Sequence, residues 1–356
     1  MIIRIDNPPA DASTRQGGET MTVFKTIATA GLMALAAATT VQAETILKLA
    51  TAAPEKTPWG AQVNRLAEAI ASESEGRIRV EPYFNSQLGT ENDTLAQLAR
   101  GRIEMGLFTI SAAGQQAPEV GLMQLYGYYD NNDQRACVQD KFLTDEIRKR
   151  LAPKGVFFGS WAEVGNGYLM SDREITSADD FKGMKVGISV NKINTEHWKL
   201  FGANPVPLSP GEAASAASTG LIDMYPTVYT FYIPSGLNKI YPIANEYNYS
   251  NGPGMFAVSQ RIMDKLSEDD QAAIKRVFAD PAFSSKAIMD EVFAFEDKMR
   301  ALHESQGGRI VRLSAEQVAE IRSKLPPWWE AMAADYGDDG TAILTLMEKA
   351  KVACNG

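Results

Sequence analysis

Apolar and polar residues alternate over residues 45–50 (TILKLA), the spacing of a half-buried strand, and Pro54 and Pro58 end the pattern. Over residues 59–72 the apolar side chains Val63, Leu66, Ala67 and Ile70 fall on one face of a helix, with Gly76 behind it. Residues 77–83 (RIRVEPY) alternate again. A turn at Gln87-Leu88-Gly89 precedes a helical stretch over 91–100 that Gly101 closes, and residues 103–108 (IEMGLF) form a third strand. The order β-α-β-α-β predicts a mainly parallel sheet with helices on both faces.

Further along, the spacing predicts a helix over 133–151 and a strand over 156–161. A second unit starts near Gly165, with strands over 185–190 and 221–224, an extended piece at 204–207, and helices over 194–201 and 210–218. Residues 255–259 (MFAVS) return as a strand, and the chain is helical from Ser267. Asp280-Pro281 interrupts it, and Pro281 starts a helix running to residue 304, about 35 Å at 1.5 Å per residue. The chain passes twice between the units. That pattern predicts two interleaved α/β domains with a cleft between them: 44–164 with 251–290, and 165–250 with 291–356.

The first 43 residues read differently. Residues 1–20 are polar and aperiodic. Lys25, the apolar run 27–38 and the small-x-small triplet Val41-Gln42-Ala43 form a secretory signal peptide, with translation expected to begin at Met21 and cleavage after Ala43. The apolar run is shorter than the about 20 residues a membrane-spanning helix needs. The net charge of −9 argues against a nucleic-acid partner. In an exported chain Cys137 and Cys354 are either one disulfide, tying the C-terminus to the first domain, or two separate buried thiols.

Enzyme chemistry finds little support. The two histidines, His197 and His303, have no metal-ligand spacing and read as surface residues. There is no G-x-S-x-G elbow and no C-x-x-C pair. Gly165-Asn166-Gly167 lacks the third glycine of a dinucleotide loop and reads as a turn between domains. Ser177 ahead of Asp179-Asp180 marks that acidic pair as turn and cap chemistry. No catalytic residue, metal ligand or cofactor site is expected.

Four blocks in order carry a resemblance. They are Gln87-Leu88-Gly89 with LAQLARGRIEMGLF (95–108), REITSADDFKGMKVGIS (173–189), FGANPVPLSPGEAASAASTGLIDMYPT (201–227), and Val258-Ser259 followed by LSEDDQ (266–271) and the long helix. Together they resemble the DctP-like solute-binding proteins of tripartite ATP-independent periplasmic (TRAP) transporters over essentially the whole mature chain. The resemblance implies a two-domain periplasmic-binding-protein-like fold with hinge strands and a long helix across both domains. It also implies a small organic solute enclosed in the interdomain cleft. A monomer is part of the same expectation: one binding subunit delivers its solute to small and large membrane subunits for ion-driven uptake. A sensory lookalike serving a receptor kinase, and an exported enzyme, are the rival classes.

In much of that family two arginines grip a ligand carboxylate. The matching positions here are Gly167 and Gly187. What remains at matching positions is acidic and aromatic: Glu91, Phe108, Thr109, Trp161, Glu163, Asn166, Tyr225, Thr227, Tyr229 and Tyr249. Aromatic faces and unpaired carboxylates suit an ammonium group. The expected ligand is therefore a cationic or neutral polar solute, such as an amino alcohol or quaternary amine. The competing reading is an organic acid held by backbone amides at a helix N-terminus.

Overall fold

The computed structural model describes residues 44–189 and 191–355, so the expected signal peptide and its cleavage site lie outside the described residues. The strands are β1 (Thr45–Thr51), β2 (Ile78–Tyr83), β3 (Met105–Thr109), β4 (Val156–Ser171), β5 (Lys185–Ile188), β6 (Asn204–Pro207), β7 (Met224–Thr227), β8 (Ile243–Ser259) and β9 (Arg309–Arg312). They form one sheet in the order β2-β1-β3-β8-β4-β7-β5-β6, with β9 beside β8. β1 pairs in parallel with β2 and β3, as the β-α-β-α-β pattern predicts. β5 likewise pairs in parallel with β6 and β7. The centre is antiparallel, because β8 lies between β3 and β4 and runs against both.

The two central strands are far longer than the sequence predicts. β4 was expected to stop at residue 161, and β8 to begin at 255; they span 16 and 17 residues. The missed part of β8, NEYNYSNGPG, has a loop's composition. Within it, Asn245 bonds across the sheet to the end of β4 and the loop beyond. Asn245 Nδ2 donates to the Leu169 carbonyl at 3.1 Å and its Oδ1 accepts the Ile175 N–H at 2.8 Å. The β4–β8 ladder slips between Glu163 and Asn166, opposite Pro253 and Asn251, so the sheet is irregular where its two halves meet. β9 was not anticipated at all.

The helices are α1 (Pro58–Glu73), α2 (Glu91–Ala99), α3 (Ile110–Gln116), α4 (Asn132–Val138), α5 (Thr144–Leu151), α6 (Lys192–Leu200), α7 (Ala213–Ser218), α8 (Tyr229–Tyr232), α9 (Gln260–Met263), α10 (Glu268–Ala279), α11 (Ser285–Ser305), α12 (Ala315–Arg322), α13 (Pro326–Ala334) and α14 (Gly337–Ala353). A short π-helical stretch, Gln139–Leu143, joins α4 to α5, so the expected helix over 133–151 is one continuous rod with a widened turn. The long helix starts later than its proline suggests. Pro281–Phe283 forms a 3-10 turn, and the Ser284 hydroxyl, accepting the Ala287 N–H at 3.3 Å, fixes the start of α11.

Three buried clusters hold the layers together. Val63, Leu66 and Ile70 of α1 and Ile274 and Val277 of α10 pack on Leu47, Leu49, Leu107 and Phe256 of the first half-sheet. Each such side chain contributes about 1.5–3 kcal/mol on burial. Met170, Tyr225, Tyr229, Tyr232 and Tyr241 form a second cluster with α7. The third is the largest and runs from Leu95 and Phe108 to Trp328, Ile343 and Met347 of the C-terminal helices.

Cys137 of α4 is disulfide-bonded to Cys354, just beyond α14, across 217 residues of sequence. Lys351 of α14 adds bonds to the Tyr128 carbonyl at 2.7 Å and to Asp130 at 3.0 Å. The C-terminal helix is thereby fastened to the loop before α4.

Candidate functional site

The site begins with the two glycines. An ideal Cβ on Gly167 would lie 2.0 Å from Ser250 Oγ and 2.7 Å from the Tyr249 ring. On Gly187 it would lie 2.9 Å from the Tyr225 ring and 3.0 Å from Ile222. At either position a side chain would force these neighbouring side chains to move. Two tyrosines and a serine stand in the space beside them, and the tyrosines are close enough that Tyr225 raises the Tyr249 phenol further than burial alone. Tyr225 itself is pushed up to about 12 by burial. Both tyrosines are therefore neutral hydrogen-bonding groups on an aromatic wall.

Tyr249 is also the centre of a larger aromatic box. Tyr126 meets it edge-on at 5.3 Å, Trp198 lies 5.4 Å away and His197 5.9 Å away. His197 in turn packs on Trp328 at 5.3 Å and on Tyr126 at 5.0 Å. The expectation of surface histidines is thus corrected: His197 and His303 are both buried. His197 belongs to the apolar face of α6 with Ile193, Trp198 and Phe201, a helical spacing visible in the sequence but overlooked. Burial lowers its pKa to about 3, so its imidazole is neutral. Both its ring nitrogens, and Nε1 of Trp198 and of Trp328, are buried without a hydrogen-bond partner. Tyr126 and Trp328 come from segments that sequence reasoning left without a site role.

Glu91 and Thr109 are brought together on the other side. The Glu91 carboxylate accepts the Thr109 N–H at 2.6 Å and its hydroxyl at 3.1 Å. Burial pushes the Glu91 carboxyl up, and these two bonds pull it back. Thr109 Oγ1 also caps Ala112 N–H at 3.1 Å, and Asn191 Oδ1 caps Asn194 N–H at 2.7 Å at the start of α6. Asn191 Nδ2 then reaches Ser111 of α3 at 2.9 Å, which links the two helix starts. One amide donor at each of these starts, Ala112 and Asn194, is taken by the chain's own side chains. Phe108 is fully buried, its ring filling the space over Gly106. Thr227, half-buried at the end of β7, has no recorded side-chain bond.

Four other expected residues have partners within the chain. Glu163 was expected to offer an unpaired carboxylate. It is instead buried against Arg135 at 2.5 Å and accepts the Gly165 N–H at 2.8 Å. Arg135 of α4 carried no signal in the sequence. Trp161 is buried with its Nε1 on Thr144 Oγ1 at 2.9 Å. Tyr229 donates to Glu246 at 2.7 Å and lies under the Arg300 guanidinium at 5.2 Å. Asn166 gives its backbone N–H to Glu296 at 3.1 Å, and its Oδ1 is buried without a partner.

Residues 49–335 match the model of bacterial extracellular solute-binding protein family 7, the DctP family. The chain belongs to this family. It is therefore a solute-binding subunit of a TRAP transporter rather than an enzyme. The chain is 27% identical to the sialic acid-binding periplasmic protein SiaP of Vibrio cholerae, over 70% of its own length and 78% of that protein. It is 24% identical to the ectoine/5-hydroxyectoine-binding periplasmic protein UehA of Ruegeria pomeroyi, over 91% of its length and 95% of the relative. The crystal structure of a TRAP periplasmic solute-binding protein from Chromohalobacter salexigens, with bound D-glucuronate, superposes with a TM-score of 0.79. That likeness covers 86% of this chain and 99% of the other at 21% identity. The fold is accordingly the α/β two-domain fold of TRAP periplasmic binding proteins. Among the described residues no helix is long and apolar enough to cross a membrane.

Proposed function

We propose that this DctP-family subunit binds a cationic or neutral polar solute. The ligand would lie between the α2–α3 side and α6, against Tyr225, Tyr249 and the aromatic box. The observation that carries this is the pair of filled glycine positions: at Gly167 and Gly187 a clamping arginine would collide with Ser250, Tyr249, Tyr225 and Ile222. Two further features support it. Glu91 supplies a carboxylate, and a side-chain oxygen already caps one backbone donor at the start of each of α3 and α6. Aromatic faces attract ammonium groups by about 0.5–2 kcal/mol, and neutral His197 adds no repulsive charge.

A carboxylate solute is the second reading. The glucuronate bound in the Chromohalobacter structure favours it, as do the unpartnered N–H groups of Trp198 and Trp328. A thermal-shift panel separates the two. Amines or neutral solutes are expected to raise Tm, because binding to the native state stabilises it. Stabilisation by hexuronates and other carboxylates alone would overturn the first reading. Mass spectrometry of solute released on denaturation identifies the ligand directly.

The remaining parts of this reading concern its setting. The lobes 44–164 with 251–290, and 165–250 with 291–356, close on the solute about the irregular stretch of β4 and β8. The subunit is a monomer exported through the signal peptide of residues 21–43, and it hands its solute to small and large membrane subunits. N-terminal sequencing of the exported protein, expected to start at Glu44, and size-exclusion chromatography test the export and the monomeric state.

A further inference from the structure

Glu296 lies in the middle of α11 and is fully buried. Its Oε1 accepts the Asn166 N–H at 3.1 Å, its Oε2 accepts the Tyr168 hydroxyl at 3.2 Å, and Arg300 Nη2 is 3.5 Å from Oε2. These contacts fall where the β4–β8 ladder slips. The chain is shaped around the carboxylate. Gly165 has φ +128°, and a Cβ there would lie 2.3 Å from Glu296 Oε1. A residue of the long helix thus takes up a backbone donor at the irregular stretch of β4.

The surrounding charges are few and identifiable. On β4 stand Tyr168 and Glu163, the latter held by Arg135 of α4. On α11 itself stands Arg300, which also binds Glu246 of β8 at 2.7 Å, and Glu246 accepts from Tyr229 of α8. From α1 the neutral Gln62 reaches the Glu163 carbonyl at 3.3 Å. Burial pushes the Glu296 carboxyl up to about 8, with Glu163 adding to the shift and Arg300, Tyr168 and the Asn166 N–H opposing it.

We infer that Glu296 is a positioning residue for closure: it holds the irregular stretch of β4 in the arrangement described here, and it takes up a proton as the two lobes close. Opening the lobes relaxes that stretch and lets water reach the carboxylate, which favours the charged form. The closed arrangement binds the proton more tightly, so closure weakens as pH rises toward 8 and levels off above it. This rests on the lobes moving about β4 and β8.

The test uses the full mature chain without added solute. Spin labels are placed at Asn92→Cys and Thr219→Cys, both exposed and one in each half, and distance distributions are recorded from pH 5 to 9. The closed-to-open ratio is expected to fall with pH, by up to about tenfold per unit, and Glu296→Gln is expected to make it invariant. A wild-type ratio that ignores pH, or a Glu296→Gln protein that keeps the wild-type dependence, overturns the inference. A single fixed distance under every condition, including saturation with the co-purified solute, would instead defeat the hinge reading on which it rests. Should Glu296→Gln not fold, Tyr168→Phe decides. It removes one bond to the carboxylate, so the midpoint must move to higher pH, and an unmoved midpoint overturns the inference.

Discussion

Replacing Glu163 by glutamine tests whether its carboxylate is a solute contact or an internal anchor. The side chain is 1% exposed and its partner Arg135 is equally enclosed, at 2.5 Å. Glutamine keeps the shape and can still accept the Gly165 N–H. It removes the charge, leaving a guanidinium in a water-free site. Breaking a buried pair from one side costs about 3–5 kcal/mol. At roughly 2 °C per kcal/mol for a chain of this size, Glu163→Gln is expected to lower Tm by about 6–10 °C. The double variant Arg135→Met/Glu163→Gln removes the stranded charge as well and is expected to regain more than half of the loss. Urea unfolding of wild type, Glu163→Gln, Arg135→Met and the double variant closes the cycle. A Glu163→Gln protein within about 0.5 kcal/mol of wild type, yet impaired in solute binding, would refute the anchor and restore Glu163 to the site.

Three further outcomes are expected. Tyr249→Ala and Tyr225→Ala each weaken solute affinity at least about tenfold, a loss of about 1.4 kcal/mol, by calorimetry with the co-purified solute; unchanged affinity in both discards the aromatic wall. His197 has a folded pKa of about 3 against the ordinary 6.5, so the unfolded chain binds a proton that the folded one refuses. Stability is therefore full above about pH 6.5 and is lost as pH falls toward 3, at up to about 1.4 kcal/mol per unit, and His197→Phe should flatten that slope in pH-dependent urea unfolding. Cys137→Ser opens a 217-residue loop and is expected to cost about 3–5 kcal/mol, read as a lower urea midpoint that added reductant no longer changes.

Family membership and the kind of fold were legible in the chain. The alternating stretches before residue 109 and the amphipathic face of α1 specify their elements locally, because strand and helix periods are read directly from side-chain spacing. The absence of an arginine at positions 167 and 187 is equally a fact of sequence. Tertiary structure decided what occupies that space. β4 and β8 hide half their length in polar, glycine-rich sequence, since a strand whose side chains bond across the sheet needs no apolar alternation. Glu163 and Tyr229 looked like solute contacts, but partners 28 and 17 residues away in sequence consume their polar atoms. Tyr126, His197 and Trp328 lie on three separate segments, and only packing makes them one aromatic box. Local periodicity fixes which residues face inward; which of those inward faces meet, and which polar atoms are left free for a solute, depends on contacts distant in sequence.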